Sequence, residues 1–161
     1  MPQLEEEVVK LLKERRFTLT TAESCTGGMF TSTIVNVSGA SEILKQGFIA
    51  YCDEAKHKYL DVSSETLQKY TAVSKQTAEE MARGIAIKTN SDVAISITGY
   101  AGPYDAEDGT KAGTVYIGCY MKERVTVEKC VFNGNRLEVR EQAVHKALEL
   151  LRRCLLEYKK N

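Results

Sequence analysis

Excess charge, long apolar stretches and a metal-binding set of histidines are all missing from this chain of 161 residues. Lysine plus arginine number 22 and aspartate plus glutamate number 22, so the formal net charge is zero. Because nucleic-acid and acidic-membrane binders draw most of their affinity from excess basic charge, we expect neither partner. The longest uncharged stretch, 24–41, is interrupted by serine, threonine and asparagine, whereas a membrane helix needs ~20 mostly apolar residues.

Histidine and cysteine are present, but not in patterns that bind metal. His57 and His145 have no carboxylate or cysteine partner at ligand spacing, so we expect no metal site and no Ser-His-Asp triad. The five cysteines form no CxxC pair, which is typical of reduced thiols rather than a disulfide framework. The N-terminus is acidic and lacks the basic and apolar regions of a signal peptide. We therefore expect a cytoplasmic protein without a cofactor.

Helical and strand patterns alternate through most of the chain. Some segments repeat apolar residues at helical spacing, and others alternate apolar with polar residues. The predicted helices are 4–16, 29–37, 54–60, one capped by Ser64, one capped by Ser74 that runs to 89, and 135–158. The predicted strands are 17–22, 46–51, 92–98, 114–121 and 125–132. This order predicts a single α/β domain over 1–161, a three-layer sandwich with a mixed β-sheet between helical layers.

Two glycine-rich turns follow predicted strands, although the GxxxxGK[ST] and GxGxxG phosphate motifs are absent. The turn at 21–28 leads into a helix, so its backbone N–H groups would face an anion at that helix N-terminus. The turn at 98–103 follows the most apolar strand, where ligands of α/β sheets usually bind. Both turns could instead be purely structural. Cys25 in the first turn is either a nucleophile with a lowered pKa or a small buried residue.

Ser41, Tyr51 and Lys56 form a third possible constellation. Taken singly, Ser41 is typical of a helix N-cap and Lys56 of a surface lysine. If Asp53 caps the helix that follows, Lys56 becomes its third residue, close to the positive end of the helix dipole. Partial burial there would favour a neutral amine, which is able to deprotonate a serine.

Four sequence blocks resemble the CinA C-terminal domain family (competence/damage-inducible protein CinA). They are TAESCTGG at 21–28, GFIAY followed by EAK within 47–56, SITGYAGP at 96–103 and FNGNR at 132–136. The blocks keep the family's order and span about 5–155 of the chain. The resemblance implies a nicotinamide-nucleotide amidase of the stand-alone form, which hydrolyses nicotinamide mononucleotide to nicotinate mononucleotide and ammonia. It also implies a metal-independent serine–lysine pair assisted by a tyrosine, carried over as Ser41, Lys56 and Tyr51.

The same motifs imply the residues that bind the substrate. These are Ser24, Thr26, Gly27, Gly28, Thr98, Gly99 and Gly102 from the two turns, with Arg136 and Arg140 for the phosphate. Either arginine could instead be a solvated residue at the start of a helix. The expected partners are a pyridine mononucleotide and further copies of the chain as a homo-oligomer.

One loop departs from the family pattern. Where family members continue with a Gly-Gly turn and Lys-Pro-Val-Gly, this chain has an acidic segment at 104–110 followed by Lys-Ala-Gly. Asp105, Glu107 and Asp108 place negative charge near the expected phosphate site. Two alternatives follow: a non-catalytic nucleotide-binding or regulatory module of the same fold, and a cysteine amidohydrolase that uses Cys25.

Overall fold

Five strands form one mixed sheet in the computed structural model, which describes residues 3–159. The strands are β1 Leu19–Glu23, β2 Leu44–Ile49, β3 Val93–Gly99, β4 Thr114–Met121 and β5 Arg124–Val131. Their order in the sheet is β2-β1-β3-β4-β5. Strand β1 is parallel to β2 and β3, whereas β4 is antiparallel to both β3 and β5. The predicted mixed sheet is confirmed.

Helices cover both faces of the sheet. They are α1 Leu4–Arg15, α2 Met29–Val35, α3 Asp53–Leu60, α4 Ser64–Tyr70, α5 Lys75–Thr89 and α6 Arg136–Glu157, with a short 3-10 helix at Ala40–Glu42. Helices α1, α2 and α6 share one apolar core with the sheet, and α3, α4 and α5 pack on the opposite face. The fold is therefore the expected α/β sandwich. No helix within 3–159 has the length and apolarity that crossing a membrane requires.

Alternation along β3 explains how one strand serves both layers. Val93, Ile95 and Ile97 face the core formed with α1, α2 and α6, whereas Ala94 belongs to the core beside α5. Small residues on the α5 side let that helix approach closely. A Cβ atom at Gly118 would lie 2.6 Å from the Ser96 hydroxyl oxygen, so the glycine keeps this space open.

One predicted helix start is confirmed and two differ from the prediction. Ser74 caps α5 as predicted, because its hydroxyl accepts from the Thr77 N–H at 3.1 Å. Ser63, rather than Ser64, caps α4 in the same way. Cys52 is the extended residue before α3, so Asp53 is already helical and Lys56 is the fourth residue instead of the third.

The parallel arrangement of β1, β2 and β3 determines where the site lies. Glu23, the last residue of β1, pairs with Ile49 of β2 and Ile97 of β3. Parallel strands end at the same edge of a sheet, and ligands of α/β folds bind in the crevice at that edge. The segments that begin at Ser24, Ala50 and Tyr100 therefore meet there.

Candidate active site

A buried serine–lysine pair lies at the carboxyl edge of the sheet. Lys56 donates from Nζ to the Ser24 Oγ at 2.9 Å and to the Ala50 carbonyl oxygen at 3.0 Å. Ser24 directly follows β1, and its own N–H donates to the Ile97 carbonyl at 2.9 Å. Backbone bonds to a neighbouring strand thus hold the serine, and α3 carries the lysine to it.

Burial gives this lysine a chemical character that a surface lysine lacks. Lys56 is 2 % exposed. Removal from water disfavours the ammonium form and lowers the pKa of Lys56 below its ordinary value, and the nearby Asp53 carboxylate offsets only part of that shift. A neutral amine within hydrogen-bond distance of a hydroxyl is the arrangement that a serine nucleophile requires.

The Glu23 carboxylate shapes the turn that carries Ser24. Glu23 is fully buried, and its two oxygens accept from the Thr26 hydroxyl at 2.6 Å and the Phe30 N–H at 2.9 Å. They also accept from the Thr31 N–H at 3.0 Å and the Thr31 hydroxyl at 2.6 Å. Four donors thus satisfy one carboxylate, and two of them are N–H groups from the first turn of α2.

The predicted anion at the start of α2 is therefore part of the chain itself. Because the Glu23 carboxylate occupies that position, the geometry does not support an external anion at the start of α2 bound by Gly27, Gly28 or the Thr26 hydroxyl. Thr26 is fully buried and spends its hydroxyl on Glu23. Gly28 has a φ of +100°, which a side chain rarely adopts, so its role is to turn the backbone into α2.

A cavity of about 460 Å³ opens in front of the pair. Ser24, Tyr51 and Lys56 all line it, and so does Arg136. The Tyr51 side chain is 60 % exposed, and its hydroxyl accepts from Arg136 Nη2 at 2.8 Å. The structure thus places Tyr51 in the same cavity as the pair, but the hydroxyl bonds to the arginine.

The second glycine-rich turn forms another wall of this cavity. Thr98, Gly99 and Gly102 all line it, as the sequence predicts for residues that follow the most buried strand. The Thr98 hydroxyl donates to the Ala72 carbonyl at 2.7 Å, and this bond fixes the end of β3. The Gly102 carbonyl accepts from Arg136 Nη1 at 2.7 Å, so Arg136 joins this turn to Tyr51.

The two predicted phosphate-binding arginines differ in what they contact. Arg140 is not among the cavity residues, because its Nε donates to the Cys25 carbonyl and its Nη2 to the Thr26 carbonyl, both at 3.0 Å. It therefore clamps the Ser24 turn from behind. Arg136 is the arginine that faces the cavity.

Ser41 and Lys56 do not meet. Ser41 is an exposed residue in the 3-10 helix, ahead of the amino end of β2, whereas Lys56 follows the carboxyl end of the same strand. Six residues of strand separate the two ends by ~20 Å at ~3.3 Å per residue. Ser41 lines a different cavity, and the predicted Ser41–Lys56 pair is wrong.

Cys25 lies in the Ser24 turn but lacks the character of an activated thiol. Its side chain is 5 % exposed, and burial raises the pKa of Cys25 to about 11. The structure thus favours the small-buried-residue interpretation of Cys25. Both histidines are exposed residues on helices, and within 3–159 no group of histidine, cysteine or carboxylate side chains could hold a metal ion.

Sequence reasoning missed the structural role of Glu23 and assigned Ser24 only to binding. One signal was available, because Ser24 and Lys56 come shortly after the predicted strands 17–22 and 46–51. Neighbouring parallel strands place such residues side by side. The nucleophile–base pair could have been sought there.

Comparisons with known proteins match nearly the whole chain. The CinA C-terminal domain family matches residues 1–155. A CinA-like protein of Kosmotoga olearia is 48 % identical over 153 residues, which are 95 % of this chain and 37 % of that protein. The chain thus spans little more than a third of that relative.

Solved structures match the fold along nearly the whole chain. Competence damage-inducible protein A from Klebsiella pneumoniae is 36 % identical, with 97 % of each chain covered and a TM-score of 0.95. A competence or damage-inducible protein from Enterobacter asburiae is 38 % identical, with 94 % of this chain and 96 % of that chain covered and a TM-score of 0.92.

Proposed function

Because the chain belongs to the CinA C-terminal domain family, we propose that it is a nicotinamide-nucleotide amidase whose nucleophile is Ser24 and whose base is Lys56. The observation that carries this proposal is the 2.9 Å hydrogen bond between the buried Lys56 amine and the Ser24 hydroxyl. The reaction would convert nicotinamide mononucleotide to nicotinate mononucleotide and ammonia.

The proposed mechanism has two halves that use the same base. Neutral Lys56 takes the Ser24 hydroxyl proton while the serine oxygen attacks the carboxamide carbon. The resulting ammonium of Lys56 gives that proton to the departing amino group, which leaves as ammonia. The acyl group stays on Ser24 as an ester. Lys56 then takes a proton from water, whose hydroxide oxygen attacks the ester, and the proton passes back to Ser24 Oγ.

The oxyanion needs donors close to Ser24. The N–H groups of Cys25 and Thr26 come next in the turn, and within 3–159 neither donates to the backbone of another residue. A donor of this kind contributes about 3 kcal/mol to transition-state stabilisation in other hydrolases. Arg140 and Glu23 hold the turn from outside, so the N–H directions do not depend on the substrate.

Arg136 is the proposed phosphate contact. Its guanidinium already directs two N–H groups at acceptors on the cavity wall, the Tyr51 hydroxyl and the Gly102 carbonyl. A phosphate oxygen could replace either acceptor, and a guanidinium suits phosphate because it can donate two parallel hydrogen bonds. Tyr51 would then be released to turn toward the Ser24–Lys56 pair.

The decisive experiment measures ammonia and nicotinate mononucleotide after the purified chain is incubated with nicotinamide mononucleotide in EDTA. We expect turnover to survive the chelator, because none of the proposed steps uses a metal. Loss of turnover on chelation, restored by a divalent ion, would contradict the mechanism. Binding of the mononucleotide without ammonia release would instead favour a nucleotide-binding or regulatory module.

A cytoplasmic location and self-association into a homo-oligomer stay predictions. The five cysteines are all unpaired, which suits a reducing compartment. Light scattering of the purified chain would measure its oligomeric state.

A further inference from the structure

A separate cavity reaches two cysteines that lie far apart in the chain. It has a volume of about 590 Å³ and is lined by Cys119 of β4 and by Cys154 near the end of α6. Cys119 is 1 % exposed, whereas Cys154 is partly exposed and packs against the apolar core that contains Cys119. The exposed side chains of Lys122 and Thr126 also line this cavity, so it is open to small solutes.

The two thiols are in direct contact. The Cys119 S–H donates a hydrogen bond to the Cys154 sulfur, and this bond lowers the pKa of Cys154 and raises the pKa of Cys119. The Thr126 hydroxyl, which the pairing of β4 with β5 places beside Cys119, donates to the same Cys154 sulfur. Burial of Cys154 offsets only part of the fall in its pKa. Cys154 is therefore the thiol that becomes a thiolate, and Cys119 is its neutral partner.

Positive charge around the cavity favours that thiolate. The charged residues that line it are three basic side chains and one carboxylate, namely Lys122, Arg124, Lys159 and Glu157. The Arg153 guanidinium, one residue before Cys154, also lowers the pKa of the thiol. Partly exposed thiolates in positive surroundings are the cysteines that peroxides oxidise, and a second thiol in contact can complete a disulfide.

We propose that Cys154 and Cys119 are a peroxide-reactive pair, in which Cys154 is oxidised first and Cys119 converts it to a disulfide. The Cys154 thiolate attacks one oxygen of hydrogen peroxide, the O–O bond breaks, and hydroxide leaves as Cys154 becomes a sulfenic acid. The Cys119 sulfur then attacks the sulfenic sulfur, and its proton departs with the sulfenic hydroxyl as water. The hydroxide takes up the proton that Cys154 lost, so two thiols and one peroxide give one disulfide and two waters.

This pair lies apart from the site of the proposed amidase. Cys154 is ~27 Å along α6 from Arg136 at ~1.5 Å per residue, and neither cysteine lines the Ser24–Lys56 cavity. A disulfide there would tie α6 to β4 without contact with Ser24 or Lys56. Peroxide oxidation of the pair can therefore be measured whether or not the chain hydrolyses an amide.

The first experiment needs no substitution. The reduced native chain is treated with hydrogen peroxide at about pH 7, quenched with iodoacetamide and digested with trypsin, which leaves the two cysteines on separate peptides, 112–122 and 154–159. We expect a disulfide-linked pair of these peptides as the main oxidised product, and dithiothreitol should release both. Sulfinic acid at Cys154 with Cys119 still free, or disulfides mainly between other cysteines, would overturn the proposal.

Two matched variants separate the roles of the two thiols. Cys119→Ser keeps a hydroxyl that can donate to Cys154 but lacks a second thiol, so oxidation of Cys154 should stop at a sulfenic acid that dimedone traps. Cys130→Ser removes a partly exposed cysteine of β5 that does not line this cavity, and it should form as much of the Cys119–Cys154 disulfide as the native chain. Circular dichroism measures the folding of each variant. If Cys119→Ser does not fold, the cross-link in the native chain decides alone.

Oxidation rates give an independent measurement on the native chain. Burial raises the pKa of Cys130, whereas the hydrogen bond from Cys119 lowers that of Cys154. Because the thiolate is the reactive form, peroxide should consume the Cys154 thiol about tenfold faster than the Cys130 thiol at about pH 7. Equal rates for these two partly exposed cysteines would contradict the proposed pair.

Discussion

Two serines in this domain each have a lysine within reach, and they differ in nearly every other respect. Ser24 is buried, and its hydroxyl accepts from a lysine that is 2 % exposed. Ser41 is exposed, and Lys45, at the start of β2, donates to its backbone carbonyl at 2.8 Å. Proximity of serine and lysine is therefore common to both regions, whereas burial of the amine and contact with the hydroxyl belong to only one.

The difference explains why we propose only the Ser24–Lys56 pair as nucleophile and base. An exposed lysine stays protonated near neutral pH and cannot take a proton, because water stabilises its ammonium form. Burial removes that stabilisation, and the shared edge of parallel strands supplies a serine at the same point. The following tests change one region at a time.

Removal of the hydroxyls should give the largest contrast. We expect Ser24→Ala to lower kcat by about 10³-fold or more, because the acyl-serine ester cannot form. Ser41→Ala should keep nearly all of its activity, since its side chain lies outside the cavity. Steady-state ammonia release from nicotinamide mononucleotide measures both. If Ser41→Ala is the inactive variant, the assignment of Ser24 is refuted.

Replacement of the lysines should give the next largest effect. Lys56→Arg retains a positive charge but cannot act as a base, so kcat should fall by about 10²-fold. Lys45→Arg is the matched change at the surface, and it should leave kcat unchanged. A Lys56→Arg variant that kept most of its kcat would show that only the charge matters.

The pH profile of the native chain tests the same base. Only the neutral amine can accept the proton, so the rate should rise with pH and level off above the pKa of Lys56. Because burial lowers that pKa, the midpoint should fall below the ~10.4 of an ordinary lysine. A midpoint at or above the ordinary value would contradict the role of burial.

The carboxylates beside the two serines should differ more modestly. Glu23→Gln replaces one acceptor oxygen by an NH₂ group that faces donors, so at least one buried donor loses its partner. We expect about 2 kcal/mol of lost stability and a roughly tenfold lower kcat as the Ser24 turn loosens. Glu42→Gln, which breaks an exposed 3.5 Å ion pair with Lys13, should change stability by less than about 0.5 kcal/mol. Urea unfolding measures the stability of each variant, and ammonia release measures its kcat. Equal losses in the two variants would contradict the difference between the two carboxylates.

Cys25 should give the smallest effect. Its pKa of about 11 leaves roughly one thiolate in a thousand at pH 8, so Cys25→Ala should keep most of its kcat. The hydrogen bond from Cys119 lowers the pKa of Cys154, and alkylation followed by peptide mass spectrometry should modify Cys154 before Cys25. Inactivation that tracks alkylation of Cys25 would restore the cysteine alternative.

Local signals predicted the elements well where they were strong. The Ser74 cap and the helical spacing of apolar residues after it were sufficient to place α5, and the alternation in 114–121 gave β4 with its observed ends. Weak ends shifted by one or two residues, as at α3, because an extended Cys52 and an aspartate cap are equally compatible with the sequence.

The site was harder to predict because its contacts are not local. The family resemblance suggested Ser41 as the partner of Lys56. The structure instead brings Ser24 to Lys56, 32 residues away in the chain, through the pairing of β1 with β2. Arg140 reaches a turn 115 residues earlier, and nothing in its own helix distinguishes it from a solvated arginine. To predict the Ser24–Lys56 pair, one would have needed to know that β1 and β2 pair in parallel.

The position of α6 in the order of synthesis has a consequence for the ribosome-bound chain. Ser24 and Lys56 are translated early, but the helix that carries Arg136 and Arg140 follows all five strands. A nascent chain that stops before α6 would lack one side of the apolar core, the clamp behind the Ser24 turn and the Arg136 cation of the cavity wall. Catalytic competence should therefore appear only after the last helix has left the exit tunnel, and a separately supplied α6 peptide should restore it to a fragment that ends at 133.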